Sequence, residues 1–171
     1  MSVQSKALVS IIAVAAFIVG IVVNSDKVEE ILDASPVVTA ELETADGLAS
    51  VEQNLKRLNL VNFWATWCAP CRHEMPIFEA MYKLHGKDGF QVIGIAIDNI
   101  ERSQPFLDSM GISYPILYAE KTGMQILEAT GNPEGLLPYS LLLDENGNVL
   151  DQVLGKIDEE MIRVWLEKYS P

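Results

Sequence analysis

Polar and apolar positions alternate in short blocks along most of the chain. Residues 60–65, Leu-Val-Asn-Phe-Trp-Ala, are apolar on both faces apart from Asn62, the pattern of a central buried strand. After a break, Met75, Phe78, Met81 and Leu84 recur at helical spacing and predict a helix over residues 72–84 that stops at Gly86. Pro76 lies inside it and predicts a kink. Residues 90–97 read as a second buried strand closed by Asp98 and Asn99. A short helix follows over 101–110, with Pro105 inside and Gly111 at its end, then an extended stretch over 114–118 and a helix over 122–130 ending at Gly131. Residues 138–143 and 148–154 flank an Asp-Glu-Asn-Gly turn, and Asn146-Gly147 is a strong hairpin signal. Asp158 opens a last amphipathic helix carrying Met161, Ile162, Val164, Trp165 and Leu166, with Asp158, Glu159 and Glu160 suited to its positive end. Nearer the start, Asp46-Gly47 predicts a turn between segments 41–44 and 48–53. The order strand, helix, strand, helix, hairpin, helix implies an α/β fold with a mixed sheet.

The N-terminal pattern is different. Residues 7–23 are apolar except for Ser10, and the first 25 residues contain no acid. As a helix, that run is about 26 Å long, at the short end for a membrane span. Lys6 precedes it and Asp26, Lys27, Glu29 and Glu30 follow, so the weak positive bias puts the N-terminus in the cytoplasm. A cleaved signal peptide and a buried helix are the alternatives. The run ends in bulky Ile21, Val22 and Val23 where cleavage wants small residues, which favours a retained anchor. The expected organisation is a cytoplasmic tail at 1–6, a transmembrane signal-anchor at 7–23, a linker at 24–40 with a helical piece at 28–32, and a folded domain at 41–171.

Composition narrows the class. Against 24 acidic residues stand 12 Lys and Arg, a formal net charge of −12, which argues against a nucleic-acid partner. Two cysteines are too few for a disulfide-stapled scaffold or an all-cysteine zinc site.

Those two cysteines, Cys68 and Cys71, stand between the first strong strand and the helix after it. A cysteine at a helix N-terminus meets unpaired N–H groups and the positive end of the dipole, which favour thiolate. Cys68 is there the candidate nucleophile, and Cys71, about one turn deeper, can resolve a mixed disulfide. Pro70 suits an early helical position, and Trp67 would cover one side of the pair. A structural disulfide gains little from so small a ring. A metal site with His73 is the other alternative, although His73 lies about 140° around the helix from Cys68.

Residues 61–76, Val-Asn-Phe-Trp-Ala-Thr-Trp-Cys-Ala-Pro-Cys-Arg-His-Glu-Met-Pro, resemble the signature of membrane-anchored thioredoxin-like proteins of the TlpA/ResA type. The similarity extends through Gly135-Leu136-Leu137-Pro138, Leu141-Leu142-Leu143-Asp144 and the Asn146-Gly147 turn, over roughly residues 38–168. The resemblance implies a thioredoxin-like fold, a central mixed sheet flanked by helices, preceded by one N-terminal transmembrane helix. It implies a cis-Pro138 facing the dithiol, with Leu137 and Trp67 beside the incoming substrate chain. Ordinary thioredoxins carry a buried Asp where this chain has Asn62. TlpA/ResA-type proteins have a glutamate at the position of Glu74, three residues after Cys71 and on nearly the same helix face. Glu74 is accordingly a candidate for moving the Cys71 proton or tuning both thiols, a solvated surface glutamate being the alternative. Arg72, four residues from Cys68, could stabilise its thiolate, but reads rather as a plain surface arginine.

By resemblance the expected activity is thiol–disulfide exchange through a Cys68–Cys71 redox-active disulfide, mainly as a reductant of disulfides in exported proteins. The implied place is the outer face of the inner membrane, in the periplasm or its equivalent, with electrons from a membrane-embedded donor. No cofactor and no metal is expected. Apocytochrome c is one candidate substrate, although the cytochrome-maturation branch usually shows Pro-Glu-Thr where this chain has Pro138-Tyr139-Ser140. An oxidase or isomerase is the alternative within the class, and Ala69-Pro70 lacks the histidine that favours an oxidising pair. A non-enzymatic copper or zinc carrier is the alternative outside it.

Overall fold

The computed structural model describes residues 32–169. The expected cytoplasmic tail, transmembrane anchor and most of the helical piece at 28–32 lie outside these residues. Among the described residues no helix is long and apolar enough to cross a membrane.

The chain begins with a one-turn helix α1 (Ser35–Val38) and a hairpin of β1 (Leu42–Thr44) and β2 (Gly47–Ala49). A 3-10 turn at Glu52–Asn54 leads to β3 (Leu58–Trp64), α2 (Ala69–His85), β4 (Phe90–Ala96) and α3 (Ile100–Met110). Then come β5 (Ile116–Tyr118), α4 (Gly123–Ala129), the hairpin β6 (Tyr139–Asp144) and β7 (Val149–Leu154), and α5 (Glu159–Tyr169). The strands form one mixed seven-stranded sheet in the order β2-β1-β5-β4-β3-β6-β7. β3, β4 and β5 run parallel, and the other pairings are antiparallel.

β3 and β4 are buried along their whole length, as their unbroken apolar runs require. Alternate residues feed two cores. Leu58, Leu60 and Trp64 join residues of α2, α3 and α5 on one face. Val61, Phe63, Ile93 and Ile95 join α1 and α4 on the other. Asn62 therefore points to the α2 side. The register sets it opposite Gly94 of β4 and Ser140 of β6.

The structure adds detail at two boundaries. The compact unit starts at Leu32. The stretch expected to be linker contains Ala34, Val37 and Val38, all buried, because these small apolar residues cover the sheet face that α4 leaves open. α2 stops at Gly86 as expected, with Gly86 as its C-cap in a right-handed conformation that continues into a 3-10 turn. The left-handed residue that turns the chain into β4 is Gly89, at φ 89°. Pro76 sits on the exposed side of α2, which runs on as one element through it.

Candidate active site

β3 delivers the chain to the site, and α2 starts there. Cys68 is the N-cap of α2, in extended conformation, and the Cys71 backbone N–H donates to Cys68 Sγ at 3.3 Å. Ala69 and Pro70 fill the first helical positions, where a missing N–H leaves no helical bond unmade. Cys68 and Cys71 are joined in a disulfide with their Cα atoms 5.3 Å apart. Both are buried, Cys71 completely. The loop before them is tied down by Asp98, which accepts from the Thr66 backbone N–H and from its hydroxyl. Trp67 projects into solvent and is 65% exposed. Arg72 and His73 are exposed on α2.

Glu74 is fully buried, so the solvated alternative is set aside. Its Oε1 accepts from Asn62 Nδ2 at 3.0 Å, and its Oε2 accepts from the Ile157 backbone N–H at 3.0 Å. The Asn62 amide also donates to Ser140 Oγ at 2.9 Å. Burial pushes the Glu74 carboxyl up to about 7, against the pull of the Ile157 and Asn62 hydrogen bonds and the Lys156 charge. A group poised there can gain or lose a proton near neutral pH.

The Leu137–Pro138 bond is cis, as the resemblance implies. Leu137 is half-buried, while Leu136 beside it is 48% exposed. Asn132 shapes this loop by accepting from the Leu136 N–H and donating to the Leu136 carbonyl.

The Redoxin family model matches residues 31–164. The chain belongs to that family. It is 32% identical over 112 residues to the thiol-disulfide oxidoreductase ResA of Bacillus thuringiensis (strain Al Hakam), covering 65% of this chain and 62% of that protein. With ResA of Geobacillus thermodenitrificans (strain NG80-2) the identity is 33% over 115 residues, with the same coverage of 65% and 62%. The chain thus spans 62% of the length of these curated relatives. Among solved structures, the thioredoxin-related protein from Neisseria meningitidis serogroup B matches at TM-score 0.65 and 27% identity, over 74% of this redoxin and 94% of that chain. The expected TlpA/ResA resemblance and the thioredoxin-like fold are borne out.

Several residues of this redoxin's site escaped the sequence reading. Asn62 was read only as a missing acid, whereas it is a donor to Glu74. Ser140 is the one small polar residue among Tyr139–Leu143, in phase with Asn62 on the strand it pairs with, a signal that was legible. Ile157 acts through its backbone, which no side-chain pattern reveals. Among the described residues no three or more His, Cys, Asp or Glu side chains gather as metal ligands would.

Proposed function

We propose that this redoxin is a thiol–disulfide oxidoreductase that works mainly as a reductant. The observation that carries the reading is Cys68 at the head of α2 with the Cys71 N–H aimed at its sulfur. Helix dipole and N–H donation both lower the energy of a Cys68 thiolate. In the reduced form that thiolate attacks a substrate disulfide, and one substrate sulfur leaves as thiolate. Cys71 then gives up its proton and attacks Cys68 Sγ, the mixed disulfide breaks, and the second substrate sulfur leaves and is protonated. Two electrons pass to the substrate and the Cys68–Cys71 disulfide remains.

Glu74, one turn from Cys71 on the same buried face, is the proton acceptor for the second attack. Leu137 and cis-Pro138 offer backbone to the substrate chain, and Trp67 flanks it. Disulfides of exported proteins are the substrates and a membrane-embedded donor returns the electrons, with the domain on the outer face of the inner membrane and residues 7–23 as its anchor. The family resemblance supports this placement. Apocytochrome c is the candidate client. Digestion of the domain by protease added only to the cytoplasmic side of sealed membranes would refute the orientation.

The deciding measurement is the reduction potential of the Cys68–Cys71 pair, by equilibration with a thiol buffer. A value well below about −200 mV is expected, and one near the −120 mV of strong oxidants would move the assignment to an oxidase or isomerase. Tight stoichiometric copper or zinc in the purified protein, without exchange activity, would favour the carrier.

A further inference from the structure

Asn62 has a half-used amide. Its Nδ2 group donates to Glu74 and to Ser140, while its Oδ1 is buried without a partner. Among the described residues the other two buried asparagines use both ends: Asn59 accepts from the Lys56 N–H and donates to the Lys56 and Asp144 carbonyls, and Asn132 both accepts from and donates to Leu136. A buried carbonyl left alone is uncommon and costly, so the exception at Asn62 asks for a reason.

The present bonds fit only one protonation state. Glu74 as carboxylate accepts on both oxygens. When it takes up a proton, one oxygen becomes a donor. Oε2 faces the Ile157 backbone N–H, which can only donate, so the proton belongs on Oε1. There it meets the Asn62 NH2 group, a second donor. A half-turn of the amide about χ2 exchanges Oδ1 and Nδ2 in the same volume, and the position without a partner then holds the NH2 group, so the amide is half-used in either orientation. Oδ1 then accepts from protonated Glu74. It also accepts from Ser140, whose hydroxyl donates as readily as it accepts. Register holds Ser140 opposite Asn62, so the second partner is present in either orientation.

We infer that Asn62 is a positioning residue whose amide turns over each time Glu74 gains or loses a proton, with Ser140 serving both orientations. The charged and titratable groups acting on or near Glu74 are Lys156 before α5 and Tyr114 before β5, whose hydroxyl is kept protonated by burial first and then by Glu79 and Glu74, while Cys71 lies three residues back on its own helix. Lys156 favours the charged carboxylate and burial the neutral acid, so neither form is locked. The use of the turn-over rests on the exchange reading: the Cys71 proton is held on Glu74 and returned to the departing substrate thiolate.

The test is NMR of the full chain with its disulfide intact, so that no thiol takes part and a failure of exchange activity leaves the result untouched. Nuclear Overhauser effects from the Asn62 amide protons to the Ser140 β and Glu74 γ protons are followed with pH, alongside the Glu74 carboxyl carbon. They are expected to fall at least threefold as pH drops through the Glu74 midpoint. In Glu74→Gln the pattern is expected to stay constant over the same range. Constant intensities in the unaltered protein while Glu74 titrates would overturn the inference. So would a pH-dependent pattern that survives Glu74→Gln.

Discussion

At Glu74 a single carboxyl feels burial, two hydrogen bonds and a lysine, and burial is the largest influence. The sign of the consequence is the reverse of the usual one for a carboxylate. The folded protein binds this proton more tightly than the unfolded chain, so stability is present at low pH and is lost as pH rises from about 4.5 to about 7. The swing is on the order of 3 kcal/mol. Urea unfolding of the oxidised protein at several pH values should show that loss, and Glu74→Gln should remove it. A variant with the same slope would show that Glu74 is not the group responsible. Burial and bonding also divide the two cysteines. After reduction, iodoacetamide should modify Cys68 at least tenfold faster than Cys71, because Cys68 receives the Cys71 N–H while Cys71 is wholly enclosed. Mass mapping of the first alkylated site checks it. Cys71→Ser should then trap mixed disulfides on Cys68, and Cys68→Ser should abolish exchange. The disulfide pair and its place at the head of α2 were legible from two residues and a helix start. The state of Glu74 was not, because its burial depends on the β7–α5 connection, eighty-three residues away along the chain.

Elements were read with much the same success as residues, and for a related reason. β3, β4 and α2 announce themselves by long apolar periodicity, and the structure shifts their ends by no more than three residues. The loops between them depend on single contacts that periodicity does not carry. Glu79 is the clearest case: on the inner side of α2, it accepts from the Ser113 N–H and hydroxyl and pairs with Lys83 at 2.7 Å. It thereby pins the loop before β5 to the helix that carries the dithiol. These bonds and the Lys83 charge hold its carboxyl below the usual range despite burial, the opposite direction to Glu74 on the same helix. Its contribution is therefore present above the ordinary glutamate range and lost on acidification. Glu79→Ala should cost about 2 kcal/mol near neutral pH, by urea midpoint, since buried donors lose a charged acceptor. An unchanged midpoint would mean that solvent replaces Glu79 at no cost. At the other hairpin Asn146-Gly147 was rightly read, but the anchor is Asp144, which accepts from the Asn146 and Asn148 N–H groups and leaves Gly147 at φ 82°.

At the scale of the whole molecule, the sheet divides the protein into two cores with unequal duties. One, under α2, α3 and α5, holds the disulfide and Glu74. The other, under α1 and α4, holds the back of the same strands. α1 lies in the stretch that charge and a proline made look like linker, and it is too short for its apolar positions to show a period. Yet Val37 is fully enclosed, Val38 and Ala34 nearly so, and Leu32 packs against Gly131 after α4. Val38 also reaches Gly147 in the β6–β7 turn, so this short segment spans the back of the sheet. Burying a valine side chain is worth roughly 1.5–3 kcal/mol, and two of them approach the low end of a domain's total stability. A chain beginning at residue 32 should unfold cooperatively in urea. One beginning at residue 41 should lose about 4 kcal/mol or fail to fold, because the gap left in the core that α1 shares with Phe63, Ile95 and Leu141 has nothing to fill it. Equal midpoints for the two truncations would place the domain boundary at 41 after all, and would make the packing of α1 on the sheet dispensable for the site on its far side.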